Sequence, residues 1–319
     1  MSSSQQSGNK PGNILIIKLG SLGDIVMAEG AIHDIRLHHT DAKISVMTTL
    51  PYQKMFSRCP WVNDVIIDPR EPRYRLDQMI TLRNRLRKYN YDFVYDLQRA
   101  GRTSFYYTWV WGRSVPWVGK AKGCQYHTER IPGAAAMDTL ALSLRNAGVQ
   151  TAYTLQSNVD WMVDEVDGIL SSYNLKNQDY VVLIPGCSAG HPQKRWPHYA
   201  ELADHLIALG LRVVTAPGPD EVELCQSIPG DMLLYQDKFL DYFKLAGILQ
   251  QAAYIIGNDT GPTHIGAHLR KRGLALFSDH VPPAQTGIQH TLFNWLEADS
   301  LEDLSVETVL NSVKANLNL

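Results

Sequence analysis

The sequence predicts an α/β protein built from two Rossmann-like halves. Three observations carry this expectation. Apolar runs of strand length alternate with helical patterns, as a parallel sheet with crossover helices requires. The alternation lapses in a polar stretch before residue 180 and then restarts. At 319 residues the chain is also long enough for two domains, each with a full core.

The strands of the first half are expected at 13–18, 43–48, 65–68, 93–97 and 115–118, where β-branched and aromatic residues cluster between turn signals. Helical periodicity fills the gaps at 24–37, 52–59, 76–88 and 138–146. One amphipathic helical stretch, 159–171, precedes polar residues and marks the junction. The second half repeats the pattern, with strands at 180–184, 212–215, 232–235, 254–256 and 275–277. Its helices are expected at 198–209, 219–226, 239–250 and 262–269, with a terminal helix within 304–317. The domain reading is a disordered lead-in over 1–12, an N-terminal Rossmann-like domain over 13–158, and a C-terminal Rossmann-like domain with the terminal helix over 159–319. Ligands of such sheets sit beyond the carboxyl ends of the strands, so the strand-to-helix turns are where chemistry is sought.

Composition narrows the class. Hydrophobic residues make up 45% and charged residues 19%, the balance of a globular protein, and no apolar run approaches the length of a membrane span. The polar first dozen residues lack the apolar core of a signal peptide, and the four cysteines form no CxxC pair, so a cytoplasmic protein with reduced thiols is expected. The net charge of -2 hides an asymmetry. Residues 1–160 hold 20 Lys+Arg against 13 Asp+Glu, and 70–130 hold 13 against 5. That stretch is either a solvated surface or a face built to meet something anionic, such as phosphorylated lipid. Its interleaved aromatics (Phe105, Tyr106, Trp109, Trp111) suit amphipathic membrane contact as well as base stacking. No recognition-helix or RNP-like pattern supports nucleic acid as a partner. The histidines show neither HExxH nor Cys/His spacing, so no metal site is expected.

Three turns stand out. Lys18-Leu19-Gly20-Ser21-Leu22-Gly23-Asp24 follows the first strand but matches neither GxGxxG nor a P-loop. Asp24 is either a first-turn helix acid or a general base for an attacking hydroxyl. Pro185-Gly186-Cys187-Ser188-Ala189-Gly190 is a small-residue loop suited to ligand contact, and Lys194 and Arg195 follow it with charge able to neutralise a departing phosphate. Gly257-Asn258-Asp259-Thr260-Gly261-Pro262-Thr263-His264 reads as a strand end, a tight turn and a helix start that offers backbone N–H groups to phosphate. Asp259 is the wrong charge for such a cradle. It either caps the helix or holds sugar hydroxyls. A fourth element, 216–221, places Asp220 and Glu221 at a strand end, where an acid can accept ribose hydroxyls or simply start a helix.

Taken in order, Ile17–Asp24, Asp96-Leu97-Gln98, Pro185-Gly186, Lys194-Arg195-Trp196-Pro197 and Asp259–His264 resemble glycosyltransferase family 9, the bacterial heptosyltransferases of lipopolysaccharide core assembly. The resemblance implies a GT-B fold, two Rossmann-like domains with parallel sheets facing across a cleft. It also implies a nucleotide-diphosphate-sugar donor, typically ADP-heptose, inversion at the anomeric carbon, and no metal or other cofactor. By the same resemblance Asp24 is the catalytic base and Lys194 the phosphate-binding lysine. Asp259, Thr260 and Gly261 grip the donor, with Thr263, His264 and Ser188 beside them. Asp220 or Glu221 binds ribose, while Lys18, Ser21, Arg99 and Arg102 are assigned to the acceptor. The implied acceptor is an anionic glycolipid, the Kdo-bearing inner core, met at the inner membrane's cytoplasmic face by a peripheral protein. Cys187 stands where the family usually has alanine, and the loop 278–283 lacks its usual Gly-Pro-Thr wording. Another nucleotide-sugar donor serving O-antigen or capsule assembly, or a non-catalytic sugar-nucleotide-binding module, are the alternatives.

Overall fold

The computed structural model describes residues 12–188, 190–279 and 282–318. The expected lead-in therefore lies, Gly12 apart, outside the described residues. The chain folds as two compact units, and the boundary is not a single point in sequence. The first unit takes the described residues through Gly20 together with Gly30–Arg130 and Thr139–Thr154; the second takes Ser21–Glu29, Ile131–Asp138 and Leu155–Leu319.

The elements run β1 (Asn13–Ile17), α1 (Leu22–His38), β2 (Lys43–Thr48), α2 (Gln53–Arg58), β3 (Asp64–Ile67), α3 (Leu76–Lys88), β4 (Phe93–Asp96), α4 (Gly101–Trp109), β5 (Trp117–Gly119), β6 (Tyr126–His127) and α5 (Ala136–Asn146). After α6 (Asp167–Ser172) come β7 (Tyr180–Ile184), α7 (Tyr199–Ala208), β8 (Arg212–Thr215), α8 (Val222–Gln226), β9 (Asp231–Met232), α9 (Tyr242–Gln251), β10 (Tyr254–Asn258), α10 (Gly261–His268), β11 (Gly273–Ser278), β12 (Phe293–Ala298) and α11 (Val306–Leu317).

The first sheet has the order β3-β2-β1-β4-β5-β6 and the second β12-β11-β10-β7-β8-β9, with parallel pairing throughout. Counted from its own first strand, each is the same 3-2-1-4-5-6 Rossmann order. Each therefore has a switch point, between β1 and β4 and between β7 and β10, where successive connections depart in opposite directions and leave a crevice. The central strands read as unbroken apolar runs because both of their faces are covered. Ile14–Ile17 and Tyr180–Ile184 are buried at every position. Leu15, Met47, Tyr106 and Trp117 share one core, and Leu183, Trp196, Tyr254 and Leu276 share another.

The α/β class and the two Rossmann-like halves with parallel sheets stand. Several elements differ from expectation. The stretch 159–171 is not one helix but a 3-10 turn, Asp160–Met162, followed by the short α6, because Val163 turns extended between them. The strand expected at 232–235 is only Asp231–Met232; Tyr235 instead bridges Lys238. Helix α4 and strands β6 and β12 were not expected. Helix α4 starts where Thr103 Oγ1 accepts from the Ala100 N–H at 3.1 Å and donates to the buried Asp96 carboxylate at 2.8 Å.

Candidate active site

The site grows from the switch point of the second sheet. Asn258, at the end of β10, is fully buried, and its side chain spans the crevice. Its Nδ2 donates to the carbonyls of Pro185 (2.9 Å) and Gly186 (3.2 Å), beyond β7. Its Oδ1 accepts from the Trp196 N–H and the Tyr199 hydroxyl, both at 3.1 Å. All four valences of the amide are used. This one side chain fixes the spacing between the β7 loop, the Lys194–Trp196 segment and the turn into α10, a role that sequence reasoning missed because Asn in a turn ordinarily reads as turn chemistry.

Asp259 comes next and carries the charge. Its Oδ2 accepts from Lys194 Nζ at 2.5 Å and its Oδ1 from His264 Nε2 at 3.1 Å. The side chain is 11% exposed and that of Lys194 21%. Burial alone opposes ionisation of Asp259, but the bonds and charges of His264 and Lys194 outweigh it and hold the carboxyl well below the ordinary range. An ionised carboxylate only accepts, so Nε2 of His264 carries the proton. The capping alternative for Asp259 is excluded: the N-cap of α10 is Thr260, and no side chain caps the helix. Pro262 has no N–H to offer, but the remaining first-turn donors stay available to an anion. The hydroxyl of Thr263 is spent on the Asn258 carbonyl at 2.6 Å, and that of Thr260 lies 3.4 Å from it.

The first turn of α1 packs on the first turn of α10. A Cβ on Gly23 would come within 2.9 Å of His264 Cδ2, and one on Gly261 within 2.6 Å of Leu22 Cδ2. Only glycine at both positions lets the two helix starts approach this closely. Asp24, one residue beyond Gly23, uses Oδ2 to accept from the N–H and hydroxyl of Ser21 at 3.0 and 3.1 Å. Oδ1 makes no hydrogen bond among the described residues. The two readings of Asp24 are thus compatible: one oxygen caps, the other is available to a proton.

The structure also separates the two candidate ribose acids. Glu221 Oε2 accepts from the Gly218 N–H at 2.9 Å, and its Oε1 stands where a Cβ of Gly186 would be. Glu221 therefore brings the fourth turn against the second, whereas Asp220 is exposed. Ser188, in the same loop as Gly186, is exposed as well, and its carbonyl accepts from the His191 N–H.

Of the four acceptor candidates, Lys18 and Arg99 both act on the buried Asp96, while Ser21 and Arg102 have carboxylate partners of their own. Ser21 belongs to the second unit and is tied to Asp24. Lys18 is buried at the end of β1, near Asp96. Burial pushes the Asp96 carboxyl up to about 6, against the pull of Thr103, Arg99 and Lys18. Arg99 donates to Ser143 Oγ at 2.8 Å and the Thr128 carbonyl at 2.6 Å. Arg102 makes a two-pronged pair with the buried Asp68, 3.1 Å on each arm, and reaches the Glu71 carbonyl at 2.9 Å. These two guanidiniums brace the loops of the first sheet. Among the described residues no three His, Cys, Asp or Glu side chains are grouped as a metal site.

A Rossmann sheet whose switch point carries a lysine, an acid and an uncapped helix start offers an anionic group a place to bind. The family model "Glycosyltransferase family 9 (heptosyltransferase)" matches residues 134–300, and the chain belongs to that family and is a glycosyltransferase. It is 24% identical over 308 residues to lipopolysaccharide heptosyltransferase 2 of Escherichia coli K12, covering 87% of this chain and 86% of that protein. Its fold is similar to a family 9 glycosyltransferase of Veillonella parvula (TM-score 0.78, 19% identity, 96% and 97% of the chains covered). It is likewise similar to the E. coli ADP-heptose lps heptosyltransferase II (TM-score 0.72, 22% identity, 96% and 98% covered).

Proposed function

We propose that this glycosyltransferase moves a heptose from ADP-heptose to the inner core of lipopolysaccharide, with inversion and without a metal ion. The observation that carries the reading is the meeting of two helix starts, Gly23 of α1 on His264 of α10, with the Lys194–Asp259 pair beside them. The acceptor hydroxyl gives its proton to Asp24 Oδ1 as its oxygen attacks the anomeric carbon from the face opposite the leaving group. The bond from that carbon to the diphosphate oxygen breaks, and the electron pair leaves with the nucleoside diphosphate. Lys194 and the open donors of the first turn of α10 neutralise that charge, the part a metal ion plays elsewhere. Asp259 passes from Lys194 to the hydroxyls of the transferred sugar, and Glu221 takes the ribose.

The names of the similar proteins support ADP-heptose as donor and lipopolysaccharide as acceptor, and the basic excess over 70–130 supports an anionic one. No helix among the described residues is long and apolar enough to cross a membrane, and the reading is of a peripheral protein on the cytoplasmic side of the inner membrane. A thermal-shift panel of ADP, UDP and GDP followed by transfer assays with the matching sugars tests it. Selective stabilisation by ADP and EDTA-insensitive transfer from ADP-heptose are expected. Stabilisation by UDP alone, with transfer from a UDP-sugar, would replace it with the other-donor reading.

A further inference from the structure

We propose that one flank of the first unit, formed by α3 and the loop before it, is a docking face for an anionic phospholipid bilayer. Helix α3 buries Met79, Leu82 and Leu86. At 100° per residue, Leu76, Ile80 and Arg83 fall in a second stripe to the side of that face. Leu76 is 65% exposed and Ile80 50%, and Tyr74 just ahead is 80% exposed. The stripe continues onto α4, where Phe105 and Trp109 stack 5.7 Å apart at 16°. Arginines lie over these rings: Arg73 is 4.7 Å from the Phe105 centroid and Arg83 is 5.8 Å from that of Trp109. Arg83 thus links the stripe on α3 to Trp109, and Arg73, ahead of the helix, reaches Phe105.

Charge selects the occupant. Helix α3 carries one acid, Asp77, and Arg75 pairs with it at 3.4 Å, while Arg87 of the last turn falls on the same stripe as Leu76, Ile80 and Arg83, and Arg85 and Lys88 add charge on the helix's other sides. An anionic headgroup layer complements this excess. Leucine, isoleucine and tyrosine reach below the headgroups while arginine heads stay among them. The inference rests on the reading of a membrane-embedded acceptor and goes beyond it by naming the face that meets the lipid.

Co-sedimentation of the full chain with vesicles of phosphatidylethanolamine and phosphatidylglycerol, containing no glycolipid acceptor, tests it, with a soluble acceptor fragment used to follow transfer separately. Binding is expected to the anionic vesicles, weaker to pure phosphatidylcholine and weaker at 500 mM than at about 50 mM salt. The double variant Leu76→Ser, Ile80→Ser is expected to lower partitioning roughly ten- to a hundred-fold. Its melting temperature and transfer to the soluble fragment should stay unchanged, and Ile207→Ser, an exposed apolar residue of α7, should bind as wild type. Equal binding by the double variant, equal binding to neutral vesicles, or a wild-type dimer that the double variant dissolves would overturn the proposal. Vesicle binding without heptosyl transfer would leave the docking face standing and remove the function; transfer without vesicle binding would do the reverse.

Discussion

Replacing Asp259 by Asn removes the charge that Lys194 and His264 share while keeping the shape of the side chain. In the native protein two charge-assisted bonds converge on a carboxylate that is 11% exposed. Such bonds contribute about 1.5–3 kcal/mol each, and the desolvation that burial imposes on the charged groups offsets about half of that. A net loss of about 1–3 kcal/mol follows, which lowers Tm by roughly 3–10 °C for units of this size. The pH dependence gives the sharper check. The folded-state carboxyl lies below its unfolded value, so its contribution is complete above the unfolded pKa of about 4 and is lost as pH falls through the folded value. The assay is calorimetric melting of wild type and variant from pH 7 down to about 3. The gap between them should be constant from about pH 7 to 5 and narrow below about pH 4. A gap of zero at pH 7, or one that widens on acidification, would refute the reasoning.

Asn258→Ala leaves the buried Tyr199 hydroxyl, the Trp196 N–H and two carbonyls without their partner, and should cost about 3–5 kcal/mol by denaturant unfolding; a loss under 1 kcal/mol would mean that the hub is dispensable. Gly186→Ala drives a methyl into the Glu221 carboxylate and should weaken nucleotide binding by calorimetry at least tenfold, whereas Asp220→Ala, on the exposed neighbour, should leave it within about twofold. Lys194→Ala should weaken capture of the nucleoside diphosphate itself, read in the same titration; unchanged affinity removes that role from Lys194.

What the sequence made legible follows from burial. The central strands of both sheets are covered on both faces and so read as apolar runs, and α3 appears at its full length, 76–88, because Met79, Leu82 and Leu86 repeat at helical spacing. Strand β12 lies at the sheet edge with only Phe293 fully buried, so it lacks that signal. Helix α4 is built from Phe105, Tyr106, Tyr107 and Trp109, residues that favour strands, and tertiary packing overrides the preference. Within the site, the turns were legible as turns, but their joining was not. Lys194 meets Asp259 across 65 positions, and Glu221 rather than Asp220 meets Gly186 because of the register of one turn. A charge count includes Arg102 with the rest, although it is paired with Asp68 34 residues away. A count of charges carries no information about which are already answered within the chain.

The central claim is that Asp24 takes the proton while Lys194 and the start of α10 hold the leaving group. Single-turnover transfer by Asp24→Asn, run beside donor titration and a thermal melt, tests it most directly. The amide can still accept from Ser21, so the fold and donor affinity should stay within about twofold of wild type, while transfer falls roughly a hundred- to ten-thousand-fold. Turnover near the wild-type rate, with the donor bound normally, would contradict the account.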